Sequence, residues 1–404
     1  MGRVGRYRNP YLTVSWLRPP AGDVRCQAFQ LETPDRAVTE GWLWSRGGED
    51  TVVCLMHPRA NFARHYLVPG LVEAGFAVFC QNSRWLGNDA TLVHEVALID
   101  VAAGVRAMRD RFDRVVLCGN SGGGSLYALY LDQALAPTGE RFVDTPAGDA
   151  FDLNRFELPV ADAMIFLAAH PGEGHFLLHA IDPSVVDEAD PVSCDTALDL
   201  FDPRNGFAEP PEPSSYSAEF LARYRAGQRV RVERLDARAR ERVARRRAAR
   251  ARFAEQGDPA ARRAAIATEF LVVYRTDADP RCVDPSLSPS DRDYGSIWGY
   301  RPDWFNYGPV GFGRVVSPEA WLSTWSGISS RAEISRTGRR IQLPCLLVGY
   351  AGDNSIFPED QDAIAASLGS PDVTRVEVPG DHYGFPVAVG REAALAALVD
   401  WLAR

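Results

Sequence analysis

Three short segments carry residues that could do chemistry together, and they occur in a fixed order. The first is Val115-Val116-Leu117-Cys118-Gly119-Asn120-Ser121-Gly122-Gly123-Gly124-Ser125, an apolar run, a glycine-lined serine and a helix start. A serine held in a sharp turn from strand to helix needs small residues two places before and two places after it, and Gly119 and Gly123 stand there. Such a turn lifts the Ser121 hydroxyl to a helix N-terminus, where the amide dipoles favour a developing oxyanion. A glycine-rich turn of this kind also suits a phosphate, so the partners decide. Asp353 follows the apolar run Leu343-Pro344-Cys345-Leu346-Leu347-Val348-Gly349-Tyr350, and His382 follows the alternating run Val373-Thr374-Arg375-Val376-Glu377-Val378. Serine as nucleophile, histidine as base and aspartate to orient the histidine make an acyl-transfer set.

A fourth segment offers a second oxyanion donor. Thr51-Val52-Val53-Cys54-Leu55-Met56 has the composition of a buried strand, and His57-Pro58-Arg59-Ala60-Asn61 is the loop beyond it. With the order Ser121, Asp353, His382, each beyond a different strand, the chain resembles the α/β-hydrolase superfamily over roughly residues 37–170 and 340–404. The resemblance implies a catalytic triad of Ser121, Asp353 and His382; Asp372 and Asp381 are weaker candidates for the acid. In that family the loop often reads His-Gly, whereas here Pro58 takes the glycine position. Proline has no amide hydrogen, so the oxyanion hole is assigned to the main-chain amides of Gly122 and Arg59. His57 is expected to brace the loop by hydrogen bonds and to lie beside the substrate.

Composition narrows the alternatives. All 44 basic residues are arginine, which removes Schiff-base lysine chemistry and a P-loop lysine, and no cofactor or metal is needed for the reaction envisaged. A net charge of −9 argues against nucleic acid as principal partner, and no run of 18 apolar residues offers a membrane span. Met1-Gly2-Arg3-Val4-Gly5-Arg6-Tyr7-Arg8 is basic but leads into Asn9-Pro10-Tyr11 rather than an apolar stretch, which is not the pattern of a secretory signal. Seven cysteines without metal-type spacing, with Cys54, Cys80, Cys118 and Cys345 inside apolar runs, read as reduced buried thiols of a cytoplasmic protein.

The elements that must hold these residues are legible from periodicity. Cys26–Leu31 and Thr39–Trp44 alternate like antiparallel edge strands, and from Thr51 strand and helix alternate: Phe76–Cys80, helical spacing over Leu92–Arg109, Val115–Cys118 and Met164–Ala169. This predicts an α/β protein with a mainly parallel sheet flanked by helices. Residues 1–170 form the first part of the core and 341–404 the second, with a mostly helical cap of 171–340 inserted after the sixth core strand.

Within the cap, 171–215 is rich in Asp and Pro and reads as irregular. Ser217–Gln256 reads as one long helix with Phe220, Tyr224, Val232, Leu235, Ala239 and Val243 on its inner side, and Ala260–Tyr274 as a return helix. Arg223–Arg263 holds 15 arginines, which suits a solvated face or a homodimer contact through the cap better than nucleic acid. The aromatic stretch Tyr294, Trp298, Tyr300, Trp304, Phe305, Tyr307, Phe312, Trp321, Trp325 supplies the cap's own core and, through Trp298 and Trp304, an apolar wall for substrate. His170 or His175 in His170-Pro171-Gly172-Glu173-Gly174-His175-Phe176-Leu177-Leu178-His179 is placed near the pocket mouth, with His170 and Tyr383 taken to contact substrate; a zinc site on His175, His179 and Glu173 is the lesser reading. The function expected is hydrolysis of a bulky hydrophobic, aromatic or polyketide-like carboxylic ester or lactone. A carbon–carbon bond hydrolase and a non-catalytic ligand-binding protein are the alternatives.

Overall fold

In the computed structural model, residues 14–404 are described; the basic N-terminal stretch lies outside them. Eight strands form one sheet: β1 (Arg25–Glu32), β2 (Val38–Ser45), β3 (Thr51–His57), β4 (Ala77–Asn82), β5 (Arg114–Asn120), β6 (Ala163–Leu167), β9 (Cys345–Tyr350) and β10 (Val373–Val378). Their spatial order is β1-β2-β4-β3-β5-β6-β9-β10, antiparallel at the β1-β2 and β2-β4 pairings and parallel everywhere else. The central strands are apolar on both faces because both faces are covered. Val53 and Leu55 of β3 join one hydrophobic cluster and Val52, Cys54 and Met56 the other, and β5 divides likewise into Val116 with Cys118 and Val115 with Leu117.

Helices α1 (Val68–Glu73), α2 (His94–Arg109), α3 (Gly122–Leu135), α8 (Pro358–Ser367) and α9 (Gly390–Leu402) flank the sheet. Between β6 and β9 lie α4 (Glu173–Ala180), α5 (Ala218–Gln256), α6 (Pro259–Ile266), the two-stranded ribbon β7 (Leu271–Val272) with β8 (Val315–Val316), and α7 (Pro302–Tyr307). α5 runs for 39 residues, about 58 Å at 1.5 Å per residue. It starts on Ser217, whose hydroxyl caps the Phe220 amide, and ends at Gly257 in the left-handed region.

Two local predictions are corrected. The return helix stops at Ile266, and Leu271–Val272, within a stretch rich in aromatic and β-branched residues, is extended and pairs with Val315–Val316 instead. The arginines of α5 are not all solvated: Arg231 is buried, paired with Glu188 at 2.7 Å and donating to the carbonyls of Asp182 and Tyr274.

The inner face of α5 carries Val232, Leu235, Ala239 and Val243 into the cluster that also holds Trp321, Trp325 and Phe312. A single π-helical turn, Trp321–Trp325, joins it to the sheet layer. On one side Trp321 Nε1 donates to Asp236 Oδ1 of α5 at 2.7 Å; on the other Ser323 Oγ donates to Glu95 Oε2 at 2.6 Å and Thr324 Oγ1 to the Leu92 carbonyl at 2.8 Å. No helix among the described residues is long and apolar enough to cross a membrane.

Candidate active site

Ser121 sits between the end of β5 and the start of α3 with φ 54° and ψ −124°, a strained conformation for a residue with a side chain. The neighbouring glycines are needed to reach it. A Cβ on Gly119 would lie 2.5 Å from the Gly124 Cα, and one on Gly123 would lie 2.3 Å from the Met56 carbonyl oxygen. The Ser121 amide donates to the Leu167 carbonyl at 3.0 Å, which ties the turn to the end of β6.

Asp353 and His382 reach the serine from the loops beyond β9 and β10. His382 Nδ1 donates to Asp353 Oδ2 at 2.8 Å, and Ser121 Oγ donates to His382 Nε2 at 3.2 Å. The other Asp353 oxygen accepts from the Ser355 and Ile356 amides at 2.8 and 2.9 Å, so both oxygens of the buried carboxyl are held in place. Burial pushes the His382 imidazole down, but the Asp353 charge and hydrogen bond, with a lesser contribution from Asp381, leave it above its ordinary value. The histidine loop is held from α9, where Arg391 Nε donates to the Tyr383 carbonyl at 2.8 Å.

Across from the histidine stands the His57–Asn61 loop. His57 Nδ1 accepts from the main-chain amides of Arg59 and Ala60 at 3.1 and 3.0 Å. The Arg59 amide therefore points into the imidazole and not toward the space before Ser121, which corrects its assignment as an oxyanion donor. The Gly122 amide, at the first position of α3, lies outside the intrahelical ladder. The Arg59 side chain pairs with Glu173 of α4 at two points and lies over the rings of Phe312 and Trp325, at 4.4 and 4.9 Å from their centroids.

The cavity at Ser121 is lined by Val14, His57, Phe62, Ile297, Phe312 and Tyr383, among others, and has a volume of about 40 Å³. A larger groove of about 690 Å³ lies between Trp16 and Leu395 and holds none of Ser121, Asp353 and His382.

No protein-family model matches the chain, and no curated protein matches it in sequence. Solved structures do match in shape. DcsB, determined in complex with its substrate analogue, is 12% identical over 94% of this chain and 98% of its own, with a TM-score of 0.50. GrgF, an α/β hydrolase from Penicillium sp. sh18, is 12% identical over 94% and 98%, with a TM-score of 0.48. A hypothetical protein from Pseudomonas aeruginosa is 12% identical over 95% and 96%, also at 0.48. The chain has the α/β-hydrolase fold.

Other residues singled out in the sequence take different places on this hydrolase fold. Trp304 is 55% exposed with the Arg301 guanidinium over its ring, so it is a surface residue and no part of the cavity wall. Trp298 is buried behind Phe312, ring centroids 4.7 Å apart, and supports the wall from outside the cavity. His170 is buried beside Glu173, 3.8 Å away, and is not among the residues lining the cavity at Ser121. Burial lowers its imidazole to about 4. The His175 and His179 rings lie tilted to one another with centroids 4.5 Å apart, and His175 faces Glu333 and Asp360.

Glu173, which the sequence offered only as a lesser zinc ligand with His175 and His179, instead lies beside the Ser121 turn. Its carboxyl is buried beside Gly122 and held down to about 2: burial opposes this, and the Arg59 charge and hydrogen bond, with contributions from the neighbouring His170 and His57, overcome it. The available signal was an acid directly after Pro171-Gly172, at the first turn of a helix. Phe312 and Ile297 were equally unplaced, since only the long-range packing of the insertion brings them to Ser121.

Proposed function

We propose that this protein is a serine hydrolase that cleaves a carboxylic ester or lactone of a hydrophobic small molecule. The observation that carries the reading is the unbroken chain from Ser121 Oγ through His382 to Asp353 on a strained turn. His382 Nε2 takes the Ser121 proton as Oγ bonds to the ester carbonyl carbon, and Asp353 stabilises the imidazolium that forms. Collapse of the tetrahedral species expels the alcohol, which receives its proton from His382. Water then attacks the acyl-enzyme by the same route and frees the acid. No group beyond the chain's own side chains and water enters the scheme.

The apolar lining supports a hydrophobic acyl or alcohol group. At about 40 Å³ the cavity is far below the 300–1,000 Å³ typical of sites that enclose a drug-sized ligand. A bulky substrate therefore requires the Ile297 and Phe312 side of the wall to move outward. The test is turnover of a panel of aryl esters and lactones by wild type and Ser121→Ala, with labelling by a fluorophosphonate. Hydrolysis and labelling that both vanish in the variant support the reading; a wild type that is neither labelled nor active on any ester or lactone overturns it.

A further inference from the structure

A tetrahedral oxyanion is held best by two or more donors, and the Gly122 amide is one. The loop after β3 offers no main-chain partner for it: Pro58 lacks an N–H, and the Arg59 and Ala60 amides are both spent on His57 Nδ1. Two N–H groups directed at one ring nitrogen define it as the acceptor, so the proton of the neutral imidazole resides on Nε2. That atom lies 2.9 Å from the position a Cβ on Gly122 would take, and the ring lines the cavity that holds Ser121 and His382. Among the described residues no acceptor lies within hydrogen-bond distance of Nε2, in a side chain that is 95% buried.

We propose that the His57 Nε2–H is the second oxyanion donor, paired with the Gly122 amide. The assignment rests on the serine-hydrolase reading above. In the reaction the carbonyl π pair moves onto oxygen as Ser121 Oγ bonds to carbon, and His57 lends a hydrogen bond to that oxygen while keeping its proton.

Glycine at position 122 acquires a reason from this. The turn itself demands glycine at 119 and 123, where added atoms would meet backbone. At 122 the obstacle is different: a Cβ would wedge between His57 Nε2 and Glu173 Oε1, at 2.9 and 2.5 Å. Burial, aided by the Arg59 charge, holds the His57 imidazole well below its ordinary range, so it stays neutral and its tautomer fixed at any ordinary assay pH. Glu173 would repel an oxyanion from the other side, and its two-point pairing with Arg59 cancels that charge.

Two substitutions separate donation from loop bracing. In His57→Asn the amide oxygen takes the place of Nδ1 and keeps the brace but nothing replaces Nε2–H; in His57→Gln the amide nitrogen replaces Nε2–H and the brace is lost. Expected for H57N is a fall in kcat of about 10²–10³ with KM within about threefold, and a similar fall in the rate of Ser121 phosphonylation. H57Q is expected to retain activity within about tenfold of wild type, at a lower melting temperature. H57N with wild-type kcat, or H57Q as inactive as H57N, overturns the assignment and leaves the serine-hydrolase reading intact. A wild type whose Ser121 is never phosphonylated removes both.

Discussion

Arg59 and Glu173 form a two-point ion pair directly behind the nucleophile turn, Nε to Oε1 at 3.0 Å and Nη2 to Oε2 at 2.9 Å, with both side chains almost fully buried. Removing Arg59 leaves the buried Glu173 carboxyl without its two-point cation. Arg59→Met is expected to cost about 3–5 kcal/mol in urea unfolding, and the double variant Arg59→Met with Glu173→Gln to recover most of it. Additive losses in the two single variants would show that the pair is not coupled.

The raised His382 imidazole sets the pH response. Activity requires neutral His382, so the rising limb of kcat/KM is expected at an apparent pKa above the ordinary value of about 6.5. Asp353→Asn should lower that pKa and reduce kcat by about 10³–10⁴. The same pairing favours the protonated ring in the folded state. It therefore adds stability that is complete below the unfolded-state pKa and is lost as pH rises through the folded one. An unshifted limb in Asp353→Asn would show that this acid does not tune the base.

Gly123→Ala places a methyl 2.3 Å from the Met56 carbonyl oxygen, and backbone on both sides must shift to admit it. The expected outcome is loss of fluorophosphonate labelling by more than about 100-fold even in protein that remains folded by circular dichroism.

Glu95 lies fully buried at the start of α2, and burial raises its carboxyl to about 7, against which the Ser323 and main-chain hydrogen bonds act only weakly. Because its folded pKa lies above its unfolded one, the penalty is absent below about pH 4.5 and grows as pH rises through about 7. Glu95→Gln keeps an acceptor for Ser323 and removes the charge. It is expected to raise the melting temperature at pH 8, by up to about 3 kcal/mol in stability, and to change little at pH 5. A gain of equal size at both pH values would rule out ionisation as the cause.

Strand positions and the order Ser121, Asp353, His382 were legible because each depends on local pattern: an apolar run, then glycine-bounded polar residues. The six apolar positions named on the inner side of α5 are all buried for the same reason, since a 3.6-residue period needs no knowledge of the partner surface. The Arg59 amide could not be read this way. Whether it faces the substrate or the His57 ring is decided by a loop conformation that Pro58 signals only as a departure from His-Gly. Trp304 and Phe312 make the same point from the cap. Both are aromatic, eight residues apart, and nothing in their immediate sequence says that one faces water and the other Ser121. Arg231 was absorbed into a charged stripe because its burial depends on Glu188, 43 residues away.

The π-helical turn at Trp321–Trp325 is fastened to α5 through Asp236, to α2 through Glu95 and to the segment just before α2 through Leu92, and Trp325 stacks on Phe312 of the cavity wall. Insertion and sheet thus share one set of buried bonds, and cooperativity does not stop at the boundary between them. The insertion and the Ser121 turn are therefore expected to melt in one transition; a separate, earlier calorimetric transition confined to the insertion would show that the shared bonds do not couple them.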